Sequence, residues 1–356
     1  MRVGIFSYPM LFQRDGGLQI QVRETVAALN RLGDAGPRQL QVSLIEPTRD
    51  RIEHYDLIHV FSAINGNYRI VELACELQVP VVLSPLLPPG WNRRSGLLAR
   101  VADRMAGKLT AWNVQTSYAQ TKRALQLAPL VIAQGEAERR AIIDGFQIDA
   151  CKIEVFPNGI NQQFFTANAD LFRQGSGIAG PFILLAGAIS PYKNQLGLVR
   201  ALLGLELPLV IIGAPQGSDL DYLQSVLALP NVTWLGALGH DDPLRASAFH
   251  AAAVVVLPGQ GEVFPLAVLE ALAAGTPVAM TADSALELPA SGFALKKVRW
   301  DDPDGQRRAL RALLAAPPER AAVRALVSHL GWDRVAAQIA GCYAGLAGAQ
   351  GRRHAV

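Results

Sequence analysis

Cysteine is the first scarcity. Three thiols, Cys75, Cys151 and Cys342, lie far apart in 356 residues. Without C-x-x-C spacing they offer neither a disulfide framework nor a zinc site, and a reducing, cytoplasmic setting is expected. Long apolar runs are also missing: no segment approaches the ~20 residues of a membrane span. The opening Met1-Arg2-Val3-Gly4-Ile5-Phe6-Ser7 reads as a strand, its apolar run being too short for a secretion signal. Neither sign of charge is in large excess; the net of +3 argues by itself for no nucleic-acid partner. Aromatic residues make up 7% and are not interleaved with basic ones as a single-strand binder requires. His54, His59, His240, His250, His329 and His354 show no ligand spacing, so no metal site is expected.

What is present is apolar material, 50% of the chain, enough for two packed cores of ordinary domain size. Short β-branched runs alternate with longer amphipathic segments, the pattern of parallel sheets wrapped by helices. Strands are predicted at 3–8, 40–45, 57–61, 81–86, 130–133 and 153–156, then at 182–185, 209–212, 232–235, 254–257, 278–280 and 293–295. That is one doubly wound sheet in each half. Residues 161–180 lack periodicity and carry Gly175, Gly177 and Gly180, which predicts a flexible linker. These glycines satisfy G-x-G-x-x-G but precede a strand instead of following one, so the dinucleotide reading is set aside. Domains are expected at 1–163 and 164–331, with a last helix over 332–349 packing back on the first.

The most informative stretch runs from Leu257 through Pro258, Glu262, Phe264 and Pro265 to Glu270 and Gly275-Thr276-Pro277-Val278. An apolar strand leads into a loop and then a helix, the place where α/β proteins hold charged ligands. A helix starting near Pro265 offers the free N–H groups of Leu266 and Ala267 to a diphosphate. Glu270, a turn further in, can accept a ribose diol, and Glu262 can orient sugar hydroxyls. A second strand-to-helix loop holds Gly187, which permits close backbone approach, then Lys193 and Asn194. A lysine before a helix N-terminus opposes the helix dipole and implies an anion nearby, such as a departing diphosphate. Gly16 and Gly17, joining the first strand to the first helix, allow backbone N–H groups near phosphates. Gly236 begins a backbone stretch suited to a nucleobase.

This constellation resembles family 4 of the retaining glycosyltransferases, the glycosyl transferases group 1. Gly16-Gly17 is similar to the family's glycine loop, and Asp56-Leu57-Ile58-His59 to its D-x-x-H strand. Lys193-Asn194, Gly236, Pro258, Glu262, Glu270 and Gly275-Thr276-Pro277-Val278 follow in the family's order. The resemblance implies a GT-B fold: two Rossmann-like doubly wound parallel-sheet domains facing each other across a cleft, acceptor in the first and donor in the second. It also implies metal-independent transfer, with retention, from a nucleotide-diphosphate sugar to a hydroxyl of a carbohydrate or lipid-linked acceptor. Such transfers serve bacterial polysaccharide, lipopolysaccharide or glycolipid synthesis. No cofactor is implied beyond the sugar nucleotide as co-substrate. Glu262 and Lys193 would be catalytic. Glu270, Gly187, Asn194, Phe264, Leu266, Ala267, Gly236, Gly16 and Gly17 would bind the donor.

Two positions depart from the family pattern. Ala188 stands where many members have arginine, and residues 82–88 hold no histidine. They motivate the alternative of a non-catalytic glycosyltransferase-like subunit; a GT-B nucleotide-sugar epimerase or phosphorylase, which would keep the cleft and lack an alcohol acceptor, is the other alternative. Finally, residues 91–123 concentrate Arg93, Arg94, Arg100, Arg104, Lys108, Lys122 and Arg123 against Asp103 alone. Leu97, Val101, Met105 and Leu109 share one helical face beside this charge. Two expectations fit equally: a peripheral contact with an anionic membrane surface, at the inner face of the cell membrane, or a core-facing helix with a solvated basic side.

Overall fold

The computed structural model describes every residue except 14, 15, 36–38, 65, 112, 113, 206, 216, 218 and 354–356, and the side chains of 35 and 349–353 are likewise outside it. Two compact units emerge. The first comprises Met1–Gln13, Leu18–Gly159 and the segment from Trp332 onward; the second comprises Ile160–Gly331 together with Gly16 and Gly17.

The first unit holds β1 (Arg2–Phe6), β2 (Gln41–Leu44), β3 (Leu57–Phe61), β4 (Val81–Ser84), β5 (Leu130–Ala133) and β6 (Ile153–Val155) in the order β2-β1-β3-β4-β5-β6. Every pairing is parallel. Successive side chains of a strand point to opposite faces, and both faces here are covered. Ile58 and Val60 enter one core; Leu57 and Phe61 enter the other. That two-sided burial is why the strands read as unbroken apolar runs.

The helix Trp332–Arg353 packs Trp332, Val335, Ala336, Ile339 and Tyr343 into the second of these cores. On the same face His59 is fully buried. Its Nδ1 lies 2.7 Å from the Tyr343 hydroxyl and its Nε2 lies 2.9 Å from Ser84 Oγ. Burial pushes the imidazole from 6.5 down to about 3. Because the folded-state value is the lower, the unfolded chain takes up the proton first, and stability is lost as pH falls from 6.5 towards 3. Buried Glu138 acts with the opposite sign. It accepts the Leu87 and Gln134 amides at 2.8 and 2.7 Å, yet desolvation pushes it up to about 7. Its contribution is present below its ordinary 4.5 and is lost as pH rises through 7. His59→Gln isolates the first effect: the stability gap between wild type and variant should narrow by about 2 kcal/mol from pH 7 to pH 5 in urea unfolding. A gap independent of pH would refute a buried neutral His59.

The second unit holds β7 (Ile183–Ala186), β8 (Leu209–Ile212), β9 (Val232–Trp234), β10 (Val254–Leu257), β11 (Val278–Thr281) and β12 (Leu295–Val298) in the order β12-β11-β10-β7-β8-β9, again all parallel. β7 and β10 are neighbours although β8 and β9 intervene in sequence. The winding direction therefore reverses between them, and their carboxyl ends form the switch point where α/β sheets bind ligands.

Three expectations need correction. The last strand lies at 295–298, not 293–295, because Ser291–Phe293 is a single helical turn. Lys296 and Lys297 disguised it; an edge strand tolerates such charges. The predicted linker is folded. Gln162–Thr166 and Asp170–Ser176 are short helices whose Phe164 and Phe172 are fully buried in the second core. Gly177, at φ +70, ends the second of them by donating to Arg173 O at 3.2 Å, so it is a helix cap and not a hinge. The break between units falls at Gly159/Ile160, ahead of the expected 163, since Ile160 N bonds Leu330 O at 2.7 Å.

Candidate functional site

The loops leaving β7 and β10 meet at the switch point of the second sheet. After β7, Pro191–Lys193 forms one tight turn, and Asn194 in the left-handed region (φ +57) begins the helix Gln195–Leu202. After β10, the loop carries Glu262 to the helix Leu266–Ala273. The Lys193 ammonium donates to Glu262 Oε1 at 2.5 Å, with side chains 26% and 11% exposed. The anion that Lys193 demanded is thus Glu262 itself, across the switch point from it.

Several contacts fix this crossing. Gln260 N donates to Tyr192 O at 3.1 Å. A Cβ on Gly259 would sit 2.9 Å from Glu262 Oε1 and 3.2 Å from Lys193 Cδ, so a larger residue there would push the paired side chains aside. Asp283, after β11, accepts the Gly261 amide at 2.8 Å, and its own carbonyl accepts the Glu262 amide at 3.0 Å. Burial first, then the Glu262 and Asp283 carboxylates, push the Tyr192 hydroxyl above its ordinary range. Asn194 does not present its amide to the site. It donates to Trp300 O at 2.9 Å and to Pro258 O at 3.5 Å, bracing the loop.

Gly187 leaves open space where a Cβ would be, and its amide donates to Ile212 O at 2.9 Å. Next to it, Gly213 sits at φ +152, and a Cβ there would collide with the Gly187 carbonyl. Gly213 N in turn bonds Gly236 O at 2.8 Å, so the carboxyl ends of β7, β8 and β9 are laced together. Ala188, where the resemblance expects arginine, uses its carbonyl to accept from buried Gln195 at 2.8 Å.

The helix Leu266–Ala273 is buried on nearly every side, which places Glu270 at 2% exposure. Pro265 precedes it and Val268 N reaches back to Pro265 O at 3.2 Å; Leu266 and Ala267 occupy the first turn, where N–H groups point out of the helix end. Phe264 packs partly buried against the core. Glu270 Oε2 accepts from Arg245 Nη2 at 3.0 Å, and His240 Nδ1 lies 3.4 Å from Oε1. Arg245 sits in the first turn of the helix Pro243–Ala251, capped by Asp242, and rests over Phe249 at 5.5 Å. The two glutamates therefore serve separate clusters, one with Lys193 and one with Arg245 and His240.

Gly16 and Gly17, which group with the second unit, are exposed, with open space at both Cβ positions, and Gly17 starts the helix Gly17–Ala35. Arg14 and Asp15, the polar residues of that loop, lie outside the described residues. The helix Arg93–Leu109 touches its neighbours through Gly96, whose missing Cβ leaves room for Gly145 O. Its apolar row faces out: Leu97, Leu98, Val101, Met105 and Leu109 are exposed, Leu109 at 84%. The core-facing expectation for this row is overturned; a seat made of glycine holds the helix without them. Arg93 pairs with Asp144 at 3.0 Å and Arg100 bonds Gly145 O at 3.3 Å, leaving Arg94, Arg104 and Lys108 as the cations beside the row. Among the described residues no helix is long and apolar enough to cross a membrane.

Residue spacing did not flag Arg245, His240, Tyr192, Asp283 or Gly213. Asp283 and Gly213 carried one usable signal, their place just past the end of a predicted strand. Arg245 carried none.

Comparison with known proteins completes the picture. Residues 169–322 match the family model described as glycosyl transferases group 1. A D-inositol 3-phosphate glycosyltransferase of Arthrobacter sp. is 31% identical over 331 residues, covering 83% of this chain and 72% of that protein. Its namesake from Stackebrandtia nassauensis is 30% identical over 238 residues, 60% of this chain and 53% of that protein. The chain thus spans from about half to about seven tenths of these relatives' length. Among solved structures, sucrose-phosphate synthase from Thermosynechococcus elongatus matches at TM-score 0.71 and 20% identity, over 98% of this chain and 99% of that one. Anabaena HepE in complex with UDP matches at 0.69 and 17%, over 97% and 100%. At such identities the likeness speaks for the fold.

Proposed function

Because the chain belongs to the glycosyl transferases group 1 and has the GT-B fold of two Rossmann-like domains, we propose that it is a retaining, metal-independent glycosyltransferase using a nucleotide-diphosphate sugar. The observation that carries this reading is the Lys193–Glu262 pair at the switch point of the second sheet. Lys193 places its ammonium on the diphosphate. As the anomeric C–O bond breaks, the electron pair leaves with the nucleoside diphosphate, and that charge is what the ammonium and the Leu266 and Ala267 amides stabilise. Glu262 orients the sugar hydroxyls, and Glu270 accepts the ribose diol. The acceptor hydroxyl attacks from the face the diphosphate leaves and passes its proton to the departing phosphate oxygen. The relatives' printed activity and the UDP bound by HepE support the donor class.

Isothermal titration with nucleoside diphosphates, followed by assays of sugar transfer and donor hydrolysis, tests the reading. Binding with turnover is expected. Binding without turnover would favour a non-catalytic subunit instead, and no binding at all would end the donor assignment.

The acceptor is assigned to the first unit and to an anionic membrane surface. The exposed row Leu97, Val101, Met105 and Leu109, flanked by Arg94, Arg104 and Lys108, pairs apolar area with positive charge on one helix. Flotation should recover the protein with phosphatidylglycerol vesicles and not with phosphatidylcholine alone. Leu109→Glu, at a site with no packing to lose, should cut recovery about tenfold. Equal failure to float with both lipids would remove the membrane contact.

A further inference from the structure

Resting on the donor reading above, the geometry points to Arg245 as a positioning residue: we propose that it holds the Glu270 carboxylate in the one orientation that reads the 2′-hydroxyl of the donor's ribose. Arg245 stands in the first turn of its helix, where a cation opposes the helix dipole. Something must offset that placement, and Glu270 does so across 3.0 Å in an environment where the two side chains are 12% and 3% exposed. A buried pair of this kind is weak evidence for stability, because desolvation cancels most of the attraction. It is better explained by what it orients.

The polar accounting supports this. A carboxylate has about four acceptor positions. Arg245 occupies one on Oε2, while Oε1 has no hydrogen-bond donor among the described residues. Arg245 Nε is also buried without an acceptor among them. An open acceptor and an open donor in one buried pair match a vicinal diol, which gives and takes hydrogen bonds. His240 Nδ1 lies 3.4 Å from Oε1, so a diol that reaches this oxygen would displace the ring. Gly236, at φ +77, and Gly239 lie just ahead of that ring in the chain and supply backbone freedom for the movement.

The test is a ratio. Uridine, guanosine and adenosine diphosphates and their 2′-deoxy counterparts are titrated against the full-length protein by calorimetry. Wild type should prefer the ribose form of its best binder by about tenfold or more, the value of a hydrogen bond to a charged acceptor. In Arg245→Met the preference should fall to near one. Should that variant fail to fold, Arg245→Lys keeps the charge without the planar fork and should lose most of the preference. A merely structural pair would lower the melting temperature and leave the ratio untouched; an unchanged ratio in a folded variant overturns the proposal alone. Wild type that binds none of the diphosphates overturns the donor reading, and this proposal with it.

Discussion

Lys193→Ala should lower kcat for sugar transfer by about two to three orders of magnitude, the usual cost of removing one preorganised group aimed at developing negative charge. The change should not unfold the protein. Lys193 sits at the end of a single turn past the carboxyl end of β7, and its aliphatic stem is not part of the buried core. Glu262→Ala should match it in size for a different reason: the loop amides that carry Glu262 are held by the Asp283 carbonyl and carboxylate, so the loop keeps its path when the side chain is cut. Since the two side chains are bonded at 2.5 Å, their effects should not add. The double variant should be about as slow as either single one, as residues acting together are. Transfer rates within tenfold of wild type in both single variants would end the catalytic assignment.

Phe172→Ala should cost about 3–5 kcal/mol in urea unfolding, the range for emptying an aromatic site in a closed core. Phe172 is fully buried, stacks on Phe182 at a ring distance of 5.0 Å, and its amide donates to Ser247 Oγ at 2.9 Å. Its neighbour Leu171, 45% exposed, provides the control: Leu171→Ala should stay within about 0.5 kcal/mol. If the two variants were equally mild, the helix Asp170–Ser176 would be a loose connection after all.

That prediction concerns the element that local sequence described worst. Residues 161–180 contain too few turns of helix to show a period, and both helices there are held by tertiary burial of one phenylalanine each. The strands were the opposite case. Buried on two faces, each is a short apolar run that needs no long-range information to be recognised, so all twelve were legible, with only the lysine-bearing edge strand displaced. The site divided in the same way. Gly187, Lys193, Glu262, Glu270 and the first turn of Leu266–Ala273 could be located because each lies in the loop or helix that follows a strand, and the carboxyl ends of strands are where such folds bind. Asn194 lies in the same loop as Lys193, but the carbonyl its amide meets belongs to a segment more than a hundred residues away, which local sequence does not reveal.

Taken alone, the chain's order of residues determined two parallel sheets, their strands and the loops in which chemistry could sit, because alternation and strand-end position are local properties. Only the folded protein decided which charges pair: Lys193 with Glu262 across a reversal in strand order, and Arg245 with Glu270 from a helix that carries no local mark of it. It also turned the row from Leu97 to Leu109 outward, where periodicity alone allowed either direction. Helical spacing says which residues share a face, but the neighbour that covers a face, or leaves it bare, belongs to distant sequence.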